Sequence, residues 1–158
     1  MMYAVIRVRG HGKIIRKAVE TLDQIHLNRV NHMVLLPETE TTRKMLQVVK
    51  DYVTWGEVSE ELLAKALETA SKHPGEKAVS LTDLSAKYGQ EPSQLLKAVM
   101  EGRTALSDLE IKAVLRLHPP RRGWEAIKKS YAVGGSLGYR GNEINALIGR
   151  MLPSQAGV

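Results

Sequence analysis

The hydrophobic period of the first third of the chain switches repeatedly between two and about 3.6, and that alternation leaves few folds open. From Tyr3 to Arg9 the period is two: Ala4, Ile6 and Val8 fall on one side, Val5, Arg7 and Arg9 on the other. That is a strand, with one buried face and one arginine-bearing face. Gly10-His11-Gly12 interrupts it, and Ile15, Ala18, Val19, Leu22 and Ile25 then recur at helical spacing. Val30 to Leu36 reads as a second strand ended by Pro37. Thr39 to Thr42 offers capping hydroxyls to a second helix, with Met45, Leu46, Val49 and Tyr52 on its inner face. Val53-Thr54-Trp55 begins a third strand before Gly56. The order β-α-β-α-β predicts an α+β core of ferredoxin-like type, a sheet with both helices on one face.

Residues 59–110 read differently. Ser59 caps a helix that opens with Glu60 and Glu61, where the helix dipole favours acids, and Leu62, Leu63, Ala66, Leu67 and Ala70 form its apolar stripe before His73-Pro74-Gly75 ends it. Shorter helices follow at Leu81 to Tyr88, with Gly89 as C-cap, and from Ser93 to Glu101, with Gly102 as C-cap. The pattern predicts an acidic, all-helical insertion at 59–110 in a core made of 1–58 and 111–152. A strand at 113–117 returns the chain to the sheet, Asn142 caps a last helix with Ile144, Leu147, Ile148 and Met151 facing inward, and 153–158 is a loose tail.

Charge divides the chain the same way. Residues 1–37 hold six Lys/Arg against two acids, 38–110 hold nine against thirteen, and 111–158 hold eight against two. Two basic ends flank an acidic middle, and packed together they would present one positive face to a polyanion. Lys13, Arg16 and Lys17 open the first helix, where the dipole disfavours cations and an anion would be welcome. In Leu115-Arg116-Leu117-His118-Pro119-Pro120-Arg121-Arg122-Gly123-Trp124 a strand stops at the prolines and an arginine pair is carried out on a stiff turn. Guanidinium forks match phosphate oxygens. The glycines of Gly134-Gly135-Ser136-Leu137-Gly138-Tyr139-Arg140-Gly141 predict an exposed loop whose backbone lies close to a ligand.

Other chemistries find less support. The chain has no cysteine, which removes disulfides, thiolate catalysis and the usual structural zinc sites and suits a reducing cytoplasm. No apolar run approaches a membrane span, and no signal-peptide layout opens the chain. Gly10-His11-Gly12-Lys13 lacks the spacing of a nucleotide-phosphate loop. His11, His26, His32, His73 and His118 form no metal-ligand pair, so no metal, cofactor, small-molecule substrate or catalytic residue is expected. Gly135-Ser136-Leu137-Gly138 matches the spacing of an RNA clamp loop. The alternative with most substance is a DNA-binding helix-turn-helix over residues 81–97, offering Gln94 and Lys97 to bases but set among Glu91 and Glu101.

Several segments in order resemble one family. Tyr3-Ala4-Val5-Ile6-Arg7-Val8-Arg9-Gly10, the stretch from Thr21 through Arg29-Val30-Asn31-His32, and Val49-Lys50-Asp51-Tyr52-Val53-Thr54-Trp55-Gly56-Glu57 resemble the ribosomal protein L thirty family of the large subunit. Leu117-His118-Pro119-Pro120-Arg121-Arg122-Gly123, Gly134-Gly135-Ser136-Leu137-Gly138 and Ile144-Asn145-Ala146-Leu147-Ile148 are similar to its longer archaeal and eukaryotic-type form. Lys44 departs from the glycine many members carry there, and bacterial members end soon after the third strand, so inferences for 59–152 rest on the longer branch. The resemblance implies a structural, non-catalytic role on large-subunit ribosomal RNA, a place near 5S RNA, and neighbouring ribosomal proteins on the helical insertion. It implies RNA contacts by Arg7, Arg9, Lys13, Arg16, Lys17, Arg29, Asn31, His118, Arg121, Arg122 and Arg140. Lys128 and Lys129 join them on charge.

Overall fold

The computed structural model describes residues 2–10, 15–69, 72–73, 77–78, 81–101, 114–124 and 126–152. Three antiparallel strands form its centre: β1 (Met2–Arg7) lies between β2 (His32–Pro37) and β3 (Val53–Glu57), with Ile6 opposite Met33 and Thr54. A short strand, β6 (Leu115–Arg116), pairs antiparallel with β2, placing Arg116 opposite His32. Beyond β3, β8 (Gly135–Tyr139) and β7 (Ala126–Ser130) pair in parallel, giving the order β6-β2-β1-β3-β8-β7. A 3₁₀ turn at Tyr131–Val133 connects β7 to β8. The fold is α+β, as the order of elements predicts, and β7 and β8, which the sequence pattern does not mark as strands, make the sheet mixed and six-stranded.

Helices α1 (Arg16–Gln24) and α2 (Glu40–Val49) cover one face. Ala18, Leu22, Leu46 and Val49 pack there on Tyr3, Val5, Val34 and Trp55. The opposite face is covered by α3 (Glu60–Thr69), α4 (Leu81–Tyr88), α5 (Pro92–Met100) and α6 (Glu143–Met151). Leu63, Leu67, Leu84, Leu95, Val99, Ile144 and Ile148 form a single cluster with Ala4, Ile6, Met33 and Leu115. Burying each such large side chain is worth about 1.5–3 kcal/mol, so the sheet gains from both sides. This overturns the arginine-bearing face expected of β1, because all six of its residues are buried. A small antiparallel pair, β4 (Lys72–His73) and β5 (Lys77–Ala78), lies where only a helix end was predicted.

Local chemistry explains most boundaries. Thr39 Oγ1 accepts from the Thr42 amide at 3.2 Å and Ser59 Oγ from the Leu62 amide at 3.3 Å, the capping bonds the sequence promised to α2 and α3. Asn142 stands at the start of α6 but makes no side-chain cap. Asn145 does the fastening instead. Its Nδ2 donates to the carbonyls of Asn142 and Glu57, and its Oδ1 accepts from the Ser59 amide at 2.8 Å. The first turn of α6 therefore presses on β3, and a Cβ at Gly56 would collide with the Gly141 carbonyl and stand 2.9 Å from Ile144 Cβ.

Candidate nucleic-acid interface

The strand pairings gather one end of the sheet. There β1 ends, β2, β3 and β8 begin, and β6 ends. The Asn31 amide donates to the Arg7 carbonyl at 2.9 Å, and the Leu117 amide donates to the Asn31 carbonyl at 3.1 Å, so Asn31 is the stitch between the head and tail of the chain. It takes a left-handed backbone, φ 68°, which asparagine tolerates better than most residues. Its Oδ1 is buried with no donor among the described residues. Around it stand the exposed Arg29, Arg116 and His118, with Arg9 half-buried, its guanidinium 5.6 Å from the Tyr52 ring centre. Burial, then Arg116, then Arg29 hold the His32 imidazole below its usual pKa. This end concentrates positive potential.

The proline-arginine turn is riveted to the end of α6. The His118 amide donates to the Met151 carbonyl at 2.9 Å and the Arg121 amide to the Arg150 carbonyl at 3.0 Å. Arg150 Nη1 reaches back to the carbonyls of Arg121 and Gly123 at 3.3 and 3.4 Å. The Gly123 amide closes the turn on the Pro120 carbonyl at 3.0 Å. Arg122 occupies the third position at φ 69°, the place where a type II turn wants glycine. Both Arg121 and Arg122 are exposed. A rigid turn that holds two guanidinium groups in solvent loses little entropy when they meet phosphate.

Two of the arginines expected on this surface are withdrawn from it. Arg7 is 3% exposed, and its guanidinium donates to the carbonyls of Leu27 at 2.8 Å and Arg9 at 2.9 Å. Burial lowers its pKa, opposed by Asp23. Arg140 is 6% exposed, donating to Thr54 Oγ1 and the Ser136 carbonyl, both at 2.8 Å, with Tyr131 stacked 4.9 Å away. Both fasten backbone, and their positioning role has to be separated from RNA contact. Gly134 to Gly141 is likewise not an exposed loop: Gly135, Ser136 and Leu137 are buried in β8.

The other positions divide by location. Arg16 and Lys17 are exposed at the start of α1, which has no acid in its first turn and no side-chain cap. Arg16 holds Glu20 at 3.2 Å in an exposed pair, which is readily given up. Lys128 and Lys129 are exposed on β7, about 24 Å from β6 at five strand spacings. Lys13 and His11 lie outside the described residues. Arg116 was missing from the expected contacts, although its alternation with Leu115 and Leu117 pointed it away from the core. Lys44 pairs with Glu40 at 3.3 Å on the surface of α2. Among the described residues no cluster of His, Asp and Glu could hold a metal ion, and no helix is long and apolar enough to cross a membrane.

Residues 3–53, which run from β1 to the first residue of β3, match the family model described as ribosomal protein L30p/L7e. The similarity to individual proteins runs further. The chain is 46% identical to the large ribosomal subunit protein uL30 of Methanobrevibacter smithii, with 96% of this chain and 100% of that protein covered. The chain belongs to this family of ribosomal proteins. The proteins of the same name from Thermoplasma acidophilum, 44% identical with 97% of this chain covered and 94% of theirs, and from Methanosphaera stadtmanae, 42% identical with 96% and 100% covered, agree. The family is structural and catalyses no reaction, and the resemblance seen in the sequence is thereby confirmed. Membership also removes the ground for a DNA-binding regulator, whose hairpin instead buries Leu84, Leu95, Leu96 and Val99 in the core.

Proposed function

We propose that this chain is a structural constituent of the large ribosomal subunit, at work in the cytoplasm, and that it grips ribosomal RNA through the sheet end built around Asn31. One observation carries the reading: β6 pairs with β2, which sets Arg116 and His118 from the tail beside Arg29 and Asn31 from the head. In this reading Arg9, Arg29, Arg116, Arg121 and Arg122 bind phosphates, while Asn31 and His118 meet ribose hydroxyls or backbone. Arg16 and Lys17, with Lys13 ahead of them, favour a phosphate at the start of α1. Lys128 and Lys129 touch RNA on a separate flank, and Arg7 and Arg140 act by holding the loops. Two separated basic areas suit a protein that joins two RNA elements, which supports a place between 5S RNA and the large-subunit RNA. The exposed side of α3 to α5, carrying Glu61, Glu68, Glu91 and Glu101, faces neighbouring ribosomal proteins.

The test is salt-dependent binding to purified large-subunit RNA. The double variant Arg121→Ala, Arg122→Ala should bind more weakly, with a log–log salt slope shallower by about two. An unchanged slope removes the turn from the interface. Footprints of the chain on 5S RNA and large-subunit RNA together test the bridging role, which fails if only one of them is protected.

A further inference from the structure

The end of the sheet opposite the basic one has its own chemistry. There β1 begins and β2, β3 and β8 end, and α2, α3 and α6 start within four residues of those strand ends. Glu38 and Glu57 stand at the strand ends, and Glu40, Glu60, Glu61 and Glu143 fill first helical turns. Arg43, Lys44 and Lys65 pair with Glu38, Glu40 and Glu61, so carboxylates remain in excess. The three helix dipoles offset part of that charge.

Into this acidic end opens a groove of about 250 Å³ lined by Tyr3, Arg43, Gln47, Trp55 and Tyr139. The ring centre of Tyr139 lies 6.4 Å from those of both Tyr3 and Trp55. Each tyrosine hydroxyl donates to a carboxylate, Tyr3 to Glu38 at 3.2 Å and Tyr139 to Glu57. The second bond, chiefly, pushes the Tyr139 pKa up to about 12, so the phenol keeps its proton and the ring its orientation. Tyr3 and Trp55 are buried, yet Tyr139 is 51% exposed, and none of the polar contacts of the groove needs that exposure. Ring faces carry negative potential, and hydroxyls that donate to carboxylates add to it.

We infer that this groove docks a basic polypeptide segment of a neighbouring protein, with one lysine or arginine side chain lying over the Tyr139 ring and its charge shared with Glu57. Charge selects the occupant: carboxylates beside rings attract a cation and repel a phosphate backbone. Arg43 shows that the groove already accommodates a guanidinium, held by Glu38 at 3.0 Å. The inference stands apart from the RNA reading, because it uses the other end of the sheet.

The test uses the full chain carrying Trp124→Phe, so that Trp55 alone reports, and an arginine-glycine repeat peptide as probe. The peptide should alter Trp55 fluorescence. Tyr139→Leu should weaken binding about fivefold and Glu57→Gln about threefold, with unchanged circular dichroism. Asp51→Asn, which removes an acid about 20 Å away at the other end of β3, should leave it unchanged. Equal losses from Asp51→Asn and Glu57→Gln would reduce the effect to general charge attraction and overturn the proposal. So would a ten-nucleotide uridine RNA changing the Trp55 signal where the peptide does not. In assembled subunits, a photoreactive phenylalanine at position 139 should cross-link to a protein segment that mass spectrometry shows to contain Lys or Arg at the contact; cross-linking to RNA alone would overturn it.

Discussion

Arg122 is held where glycine would cost nothing. A left-handed backbone costs a non-glycine residue about 1 kcal/mol or more, and here the residue is exposed, with no side-chain hydrogen bond or ion pair to the described residues. Arg122→Gly should therefore raise the stability of the free chain by about 1 kcal/mol while weakening RNA binding. Thermal melts and filter binding on the same preparation check the pair of signs, and a variant that gains stability and keeps full affinity would show the guanidinium idle. His32 gives a second signature at this scale. Its folded pKa lies below 6.5, so the unfolded chain takes up the proton first. His32 thus favours folding above the ordinary imidazole range, and that contribution is lost as pH falls through it. His32→Gln should remove that part of the acid destabilisation, measured as urea midpoints at pH 7.5 and 5.5. A bound phosphate reverses the sign by favouring the imidazolium, so wild-type RNA affinity should rise with acidification.

Among the elements, those of the first 57 residues were the most legible. The alternation of Tyr3 to Arg7 and the helical spacing of Ala18 and Leu22 name β1 and α1 correctly because each pattern reports a contact local to its own segment. What failed was non-local. Arg7 alternates as an outward residue should, yet it lies on the Val5 side of the sheet, which α1 and α2 cover, and its guanidinium is locked to the carbonyls of Leu27 and Arg9. Glycines at 134, 135, 138 and 141 spell a loop, but β8 is fixed by pairing with β3, and Thr54 Oγ1 donates to the Gly138 carbonyl at 2.8 Å. No window of sequence contains that partner. The basic turn was legible as a turn; its anchorage to α6 was not, because Arg150 lies 29 residues from Arg121 along the chain. The close approach of β3 and α6 makes a further prediction. Gly56→Ala should destabilise the chain by about 3 kcal/mol, since the obstruction is the Gly141 backbone and cannot swing aside. Denaturant unfolding would show it, and a loss under about 1 kcal/mol would mean that α6 is free to shift.

At the scale of the whole molecule the sheet works as a charge-separated bar. Its basic end holds Arg9, Arg29, Arg116, Arg121 and Arg122, its other end the glutamates of three helix starts. Such a distribution orients the protein in the field of a polyanion before any contact forms, so the Arg121→Ala, Arg122→Ala variant should associate more slowly as well as bind more weakly. Stopped-flow association at low and moderate salt resolves the two effects, and an unchanged on-rate would show that the turn acts only after docking.

The pairing of β6 with β2 also has a consequence in time. Residues 32–33 leave the peptidyl-transfer machinery long before residues 115–116, and closing so distant a contact is slow for a chain of this size. A copy terminated before that second segment carries Arg29 and Asn31 but not Arg116 and His118, so on the function proposed above it should bind large-subunit RNA more weakly than the full chain, which filter binding of the two would check.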